Sequence, residues 1–304
     1  MSQLTLRIDR AKDGAHRWRA IASIATWAGF AILLLLNVML AGGVGATAQC
    51  LAAISILVMT VHAVIALGWA EAAIFAATCL AITFAMENLG ATTGFPFGRY
   101  AFLVGAGLPY IGVIPIIVGP LYFGMGYASW VIANLLVSSQ VQRPHTRYAL
   151  FAVPLIAAFV MTQWDVVMDP SGSTLGKAWV WYDGGGYFGV PLSNFLGWFL
   201  VTWLYFQAFA IFAYKRRNRA PHPSRGRWFW TFPILLYLAA GLCHLPPLLA
   251  PDARLVDAGG RTWSAADLRE TAVIMMLFTM APTSILALLR LASPEKRDRL
   301  IAAG

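Results

Sequence analysis

Charge is what this sequence has least of. Asp, Glu, Lys and Arg make up 12% of its 304 residues and apolar side chains 59%. That is about half the charged share of a soluble domain, which excludes a chain whose surface faces mainly water. Cysteine is equally sparse. Cys50, Cys79 and Cys243 stand in or beside apolar runs without paired spacing, which argues against a disulfide framework and a thiolate metal site; they read as small buried apolar side chains. Histidine is isolated at His16, His62, His145, His222 and His244. Membrane di-iron hydroxylases and desaturases need clustered histidines, so oxygen chemistry on iron drops out. His62 and His244, both inside apolar runs, read as satisfied interior groups or as a pair meeting across a bundle.

What is present is apolar length. Eight segments approach or exceed the roughly 20 residues of helix that cross hydrocarbon: 20–40, 49–69, 72–89, 111–137, 148–164, 191–214, 228–249 and 270–291. Only Trp69 to Glu71 separates the second from the third. The first has spanning length and no small-residue cleavage site before the next, so it is expected to stay as an anchor. The sequence therefore predicts an all-α fold, a polytopic membrane helix bundle of about eight spans in one integral-membrane domain, 1–304. Within it, 1–19 is a basic N-terminal segment, 20–291 the bundle and 292–304 a tail.

Orientation follows from Lys and Arg, which collect in cytoplasmic loops. With the N-terminus inside, 17 of the 22 basic residues fall on inner segments and five (Arg99, Lys177, Arg254, Arg261 and Arg269) on outer ones. Both termini are thus expected in the cytoplasm, with the chain in a cell membrane, the inner membrane of a bacterium. Topology and anionic headgroups then account for the net charge of +9, and no nucleic-acid partner is implied.

Against this background the carboxylates stand out. Glu87 lies near the end of the third span, a depth at which an ionisable group is by default a functional-site hypothesis. After it, residues 91–100 alternate glycine, proline and aromatics, which favours a tight loop. Arg99 either pairs with Glu87 or with an aspartate of a later loop, or snorkels to the headgroups. The stretch from Trp164 to Trp198 carries Asp165, Asp169 and Asp183 with Trp164, Trp179, Trp181, Tyr182, Tyr187 and Trp198. A connector of such length is more often functional than idle. Eight spans bring it to the same outer side as Glu87, so Glu87, Arg99, Asp165, Asp169 and Asp183 are expected in one pocket. If the helix persists past Trp164, Asp165 and Asp169 share a face at i and i+4. They would then repel, so that one keeps its proton, as an acid catalyst must. The other reading is that Asp169-Pro170 ends the helix in a turn. The aromatics suit an interfacial belt, or a lining that stabilises a cation. Asn194, just inside the sixth span, is placed to hold a water or cap the helix.

Glu87 with the Thr93-Gly-Phe-Pro-Phe-Gly98 run and Tyr100, then Asp165, Asp169-Pro170, Trp179 and Trp181, and the run from Gly186 to Asn194 into Gly197-Trp198, resemble the integral-membrane carotenoid biosynthesis proteins. The resemblance covers roughly residues 50–290 in layout and is most specific in the two outer loops. It implies a carotenoid 1,2-hydratase, which adds water to the terminal double bond of an acyclic carotenoid end. Its partners would be a lycopene-like carotenoid and membrane lipid. The residues suit that chemistry, which needs no redox cofactor, and no metal site is expected. Asp165 or Asp169 would give the proton and Glu87 would orient or deprotonate water. Tyr100, Trp179 and Trp181 would line the cation site, and Arg99 would keep the base carboxylate ionised. Trp164, Asp183 and Asn194 complete the expected substrate-binding set. Two rival readings stand beside this one. A prenyltransferase would use Asp165 and Asp169 on magnesium and a diphosphate, but needs a second acidic cluster and more basic groups than Arg99 and Lys177. A non-catalytic carotenoid or lipid carrier would use the aromatics for grip and the carboxylates to tie loops.

Overall fold

A computed structural model of the chain describes residues 3–43, 45–104, 107–219 and 225–293. Residues 294–304 of the expected tail and 220–224 of the basic connector lie outside them. Among the described residues, eight helical spans are long and apolar enough to cross a membrane. They comprise α1 (Gln3–Leu40), α2 (Ala46–Leu67), α3 (Trp69–Thr93), α4 (Val118–Ser138), α5 (Arg147–Pro170), α6 (Leu192–Lys215) and α7 (Arg227–Leu242), followed by α8 (Ala265–Met275) and α9 (Ala281–Ala292), which a π-helical turn at Met276–Met280 joins into one span. Three short antiparallel ribbons decorate the connectors: β1 (Tyr100–Phe102) with β4 (Trp179–Trp181), β2 (Tyr110–Ile111) with β3 (Ile114–Pro115), and β5 (Arg254–Val256) with β6 (Thr262–Ser264).

Local chemistry explains the boundaries. The narrow gap between the second and third spans is a single residue, Gly68, at φ 76°, a left-handed conformation that glycine adopts without a Cβ clash. Thr146 caps α5, its side chain accepting from the Ala149 amide at 3.1 Å, and Ser264 caps α8 in the same way through the Asp267 amide. The fourth span begins at Val118 and not at residue 111, because Ile111 to Pro115 turn back as the β2–β3 ribbon. The fifth runs past Trp164. Pro170 does not stop it: the helix widens into a π-turn over Ser171–Leu175, closed by the Gly176 amide on the Ser171 carbonyl at 2.9 Å. The carbonyl that Pro170 leaves without an N–H, that of Val166, accepts from the Tyr187 hydroxyl at 3.2 Å, and π-turns concentrate at functional sites. The basic segment expected at 1–19 runs without a break from Gln3 into the first span.

α4 is the central helix, since 72% of its most apolar window is buried against 17% for α1. Its Tyr122, Tyr127 and Trp130 are almost wholly enclosed, with rings from α2, α3 and α6 against them. Outward-facing Ile24, Phe159 and Phe278 are exposed, as expected of side chains that meet lipid.

The two ends of the bundle differ in charge. At one end Arg143 sits on Glu71 of α3, Nε to Oε1 at 2.9 Å, with both side chains largely buried. Arg225 donates there to the Ile65 carbonyl at 3.0 Å. The 140–147 turn is thus a clamp on the start of α3. At the other end lie β1, β4 and the β5–β6 ribbon, tied by Lys177 Nζ to the Val256 carbonyl at 3.2 Å and by Arg261 to the Gly185 carbonyl at 3.0 Å. His62 and His244 do not need each other. His62 donates from Nε2 to the Phe229 carbonyl at 2.9 Å and meets the Tyr127 hydroxyl through Nδ1 at 2.8 Å, whereas His244 lies 3.4 Å from Ser171 Oγ.

Candidate active site

Helical spacing and one strand pairing bring the acids together. Because α5 continues, Asp165 and Asp169 project from one face, 1% exposed each. α6 packs alongside and delivers Asn194, fully buried, whose Nδ2 donates to Asp165 Oδ2 at 2.8 Å and to Asp169 Oδ2 at 2.5 Å. Two carboxylates accepting from one group fix which end of the amide faces them. Asn194 Oδ1 faces away, buried and without a partner among the described residues. The β1–β4 register sets Tyr100 against Trp181 and Phe102 against Trp179. Since alternate residues share a face, both indoles turn inward, where Trp179 and Trp181 donate their Nε1 hydrogens to Asp169 Oδ1 at 2.9 and 3.1 Å.

Glu87 comes from α3, near its end. Its Oε2 accepts from the Tyr100 hydroxyl, and its Oε1 from the Tyr122 hydroxyl at 2.6 Å. Burial and the nearby Glu87 charge hold the Tyr100 phenol well above its ordinary range, so it remains a donor at every physiological pH. Between these groups lies a cavity of about 80 Å³, lined by Glu87, Asp165, Asp169 and Asn194 and by the rings of Tyr100, Tyr122, Trp164, Trp179, Trp181 and Trp198. One water needs only about 10–15 Å³ by the same measure. There is room for a water beside a small branched apolar group. No Lys, Arg or His lines this cavity among the described residues.

Of the expected site residues, the structure brings Glu87, Asp165, Asp169, Tyr100, Trp164, Trp179, Trp181 and Asn194 around this cavity. It does not bring Arg99 and Asp183. They pair with each other at the surface, Arg99 Nε donating to Asp183 Oδ2 at 3.0 Å, with both side chains more than half exposed. The physical reason is alternation along the strand: Tyr100 turns in, so Arg99 beside it turns out, where a guanidinium keeps its hydration. Of the partners weighed for Arg99, an aspartate of the later loop is the one found. The pair straps the loop before β1 to the loop after β4. Arg99 holds the Asp183 carboxyl below the ordinary carboxylate range. A depressed folded value means that this contribution is present above about pH 3.9, the free Asp value, and is lost as pH falls through the lower folded value. In water the pair contributes little, so Asp183→Asn is expected to leave the thermal midpoint at neutral pH unchanged; a fall of several degrees would show that the strap holds the roof.

The sequence reading missed Tyr122, which supplies half of the Glu87 cradle and stacks on Trp198 at 4.2 Å between centroids. A signal existed, because a tyrosine at the end of an apolar span needs a partner for its hydroxyl. It also missed Gly172. A Cβ there would stand 2.3 Å from the Trp179 ring, so glycine is what lets that indole lie across the π-turn and reach Asp169. Overpacking of this kind costs about 1–3 kcal/mol. Gly172→Ala is expected to lower stability by that amount in chemical unfolding and to change the Trp179 environment seen by fluorescence.

Eight spans closing over buried carboxylates roofed by indoles define a polytopic membrane protein with an interior acid site. The family described as "Carotenoid biosynthesis protein" matches residues 45–246, and the chain belongs to it. The chain is also similar to a Bisanhydrobacterioruberin hydratase of Haloarcula japonica, 25% identical over 118 residues. That match spans 39% of this chain and 38% of the relative's length. No solved structure matched the chain. The protein is therefore a multi-pass membrane protein of the carotenoid biosynthesis family.

Proposed function

We propose that the chain is a carotenoid 1,2-hydratase, adding water across the terminal double bond of an acyclic carotenoid end by carboxylate acid and base catalysis. The observation that carries this reading is the cavity itself. Three buried carboxylates and four indoles surround it, with no cationic side chain in its lining among the described residues, an environment complementary to a positive charge that forms during reaction. The similarity to a protein named as a hydratase points the same way.

The hydrogen bonds suggest how the roles divide. Asp169 accepts three N–H bonds, on both oxygens, and Glu87 accepts two phenol bonds; such donors favour the charged carboxylate. Asp165 accepts from Asn194 alone among the described residues and stands beside Asp169, which makes it the natural holder of the proton. In the proposed step Asp165 gives that proton to the less substituted alkene carbon, leaving a tertiary cation against the indole faces. A water held by Glu87 forms the new carbon–oxygen bond. Glu87 takes the proton that this water loses. Return of that proton from Glu87 to Asp165 restores the site, and the sum is one water added with no change of oxidation state. Three N–H donors on Asp169 take up most of the lone pairs a metal would use there, which argues against magnesium bridging the aspartate pair. The excess of Lys and Arg on the opposite connectors supports a site on the outer side of a cell membrane, which we propose is the inner membrane of a bacterium.

The test is expression in a bacterium that accumulates lycopene, with pigments analysed by mass. A product heavier by one water, absent with Glu87→Gln, is expected. Retention of the pigment without conversion would instead indicate a carrier.

A further inference from the structure

A second and larger cavity adjoins the acid site. It measures about 530 Å³, within the roughly 300–1,000 Å³ of ligand-sized pockets, and lies among α1, α2, α4, α5 and α7. Its wall is built largely from small residues, among them Gly43, Ala48, Ala52, Gly124 and Ala240, so that helices bound a smooth slot. The polar groups on it are mostly engaged with protein: Asn37 donates to the Leu33 carbonyl at 2.9 Å and Ser55 pairs with Asn37, while Ser171 meets His244. Such a wall offers a long ligand contact area and few directional bonds.

Two observations say what fills it. The first is continuity: Leu121, Trp164, Met168 and Trp179 line both this chamber and the acid cavity. The Trp179 ring therefore presents itself to both spaces while its Nε1 stays on Asp169. The second is the mouth. Gly43, Ala46, Gln49, Cys50 and Ala53, where α1 turns into α2, line the chamber and are also exposed on the flank of the bundle. In a bilayer that flank meets lipid, so a membrane-dissolved molecule reaches the chamber sideways without passing through water.

We infer that this chamber is the binding site for the unreacting polyene chain of the substrate, taken in laterally beside the α1–α2 turn and presented through the neck at Leu121, Trp164, Met168 and Trp179, so that only its terminal isoprenoid unit reaches the acids. The inference rests on the proposed hydratase reading for the identity of the ligand, and on the shared walls for its path. It places selectivity for chain length in the chamber and selectivity for the end group in the small cavity.

Binding is read apart from turnover. An achiral polyene held in one twisted geometry acquires circular dichroism in its visible band. Lycopene titrated into the full-length protein in lipid nanodiscs is expected to give such a band. Ala52→Phe and Ala240→Phe, which fill the chamber from α2 and from α7, are expected to raise the half-saturation concentration at least tenfold. Leu57→Phe on the lipid face of α2, 61% exposed, is expected to leave it unchanged. Each variant's thermal midpoint is measured alongside, and having two filling variants from different helices keeps the comparison if one fails to fold. No band with the unmodified protein, or a titration unmoved by both filling substitutions, overturns the inference and leaves the chamber to a bilayer acyl chain. If the band appears and is lost as expected but no water is added, the chamber stands and the hydratase reading falls. If water is added while the filling variants bind normally, the reverse holds.

Discussion

Asp165→Asn is expected to lower the rate of water addition by about 10²–10⁴-fold, the usual contribution of a positioned general acid, while the protein remains folded. The carboxamide keeps an oxygen that can accept the Asn194 hydrogen bond, 2.8 Å long in the native site, and differs little in shape. What it loses is the transferable proton. Asp169→Asn makes an informative contrast, because Asp169 receives N–H donors on both oxygens, from Trp179 and Trp181 on one and Asn194 on the other. Replacing either oxygen by an amide nitrogen sets N–H against N–H in a buried site, so that variant is expected to lose stability along with activity. Thermal unfolding measured beside turnover separates the two. If Asp169→Asn removed turnover alone and Asp165→Asn were silent, the acid would be Asp169.

Arg143→Ala is expected to destabilise the bundle by about 3–5 kcal/mol, the usual cost of removing one partner of a buried ion pair. Glu71 lies in the first turn of α3, is 5% exposed, and takes Arg143 Nε at 2.9 Å. Without the guanidinium this buried carboxylate loses the bonds that Arg143 Nε donates to both of its oxygens. The pair also spans elements far apart in sequence, since it fastens the α2–α3 corner to the α4–α5 connector. Unfolding in graded denaturing detergent is the suitable measurement. Glu71→Gln combined with Arg143→Met, which removes both charges, is expected to recover most of the loss; equal destabilisation by the single and double changes would mean that packing of the arginine stem matters more than its charge.

The spans were legible because lipid leaves little choice: apolar runs of sufficient length with charged connectors specify helices. Where the reading slipped, a short-range device intervened. Residues 111–117 are apolar enough to count as helix, yet a turn at Gly112, φ 65°, folds them into a ribbon, and hydropathy does not register that. The proline at 170 marks a stop in most helices, and here the chain widens into a π-turn. That outcome depends on the indole of Trp179 packing over Gly172, a contact made only after the loop returns.

The site was legible in its acids and opaque in its geometry. Glu87, Asp165 and Asp169 announce themselves as carboxylates in or beside apolar spans. Arg99 and Asp183 share the same loops and were indistinguishable from them by composition. The β1–β4 register separates the two groups, turning Tyr100 and the indoles inward and Arg99 outward. Tyr122 lay hidden because its role depends on which way α4 faces, and that follows from packing against α3 and α6 rather than from neighbours in sequence.

The most direct test of the proposed hydration is to follow the atoms. Purified protein is incubated anaerobically with lycopene in ¹⁸O-labelled heavy water, and the pigment is analysed by mass and NMR. The expected product carries one ¹⁸O as a tertiary hydroxyl and one deuterium on the neighbouring carbon, and it disappears in Asp165→Asn. Unlabelled oxygen in the product, or labelled product formed equally well by Asp165→Asn and Glu87→Gln, would contradict the account.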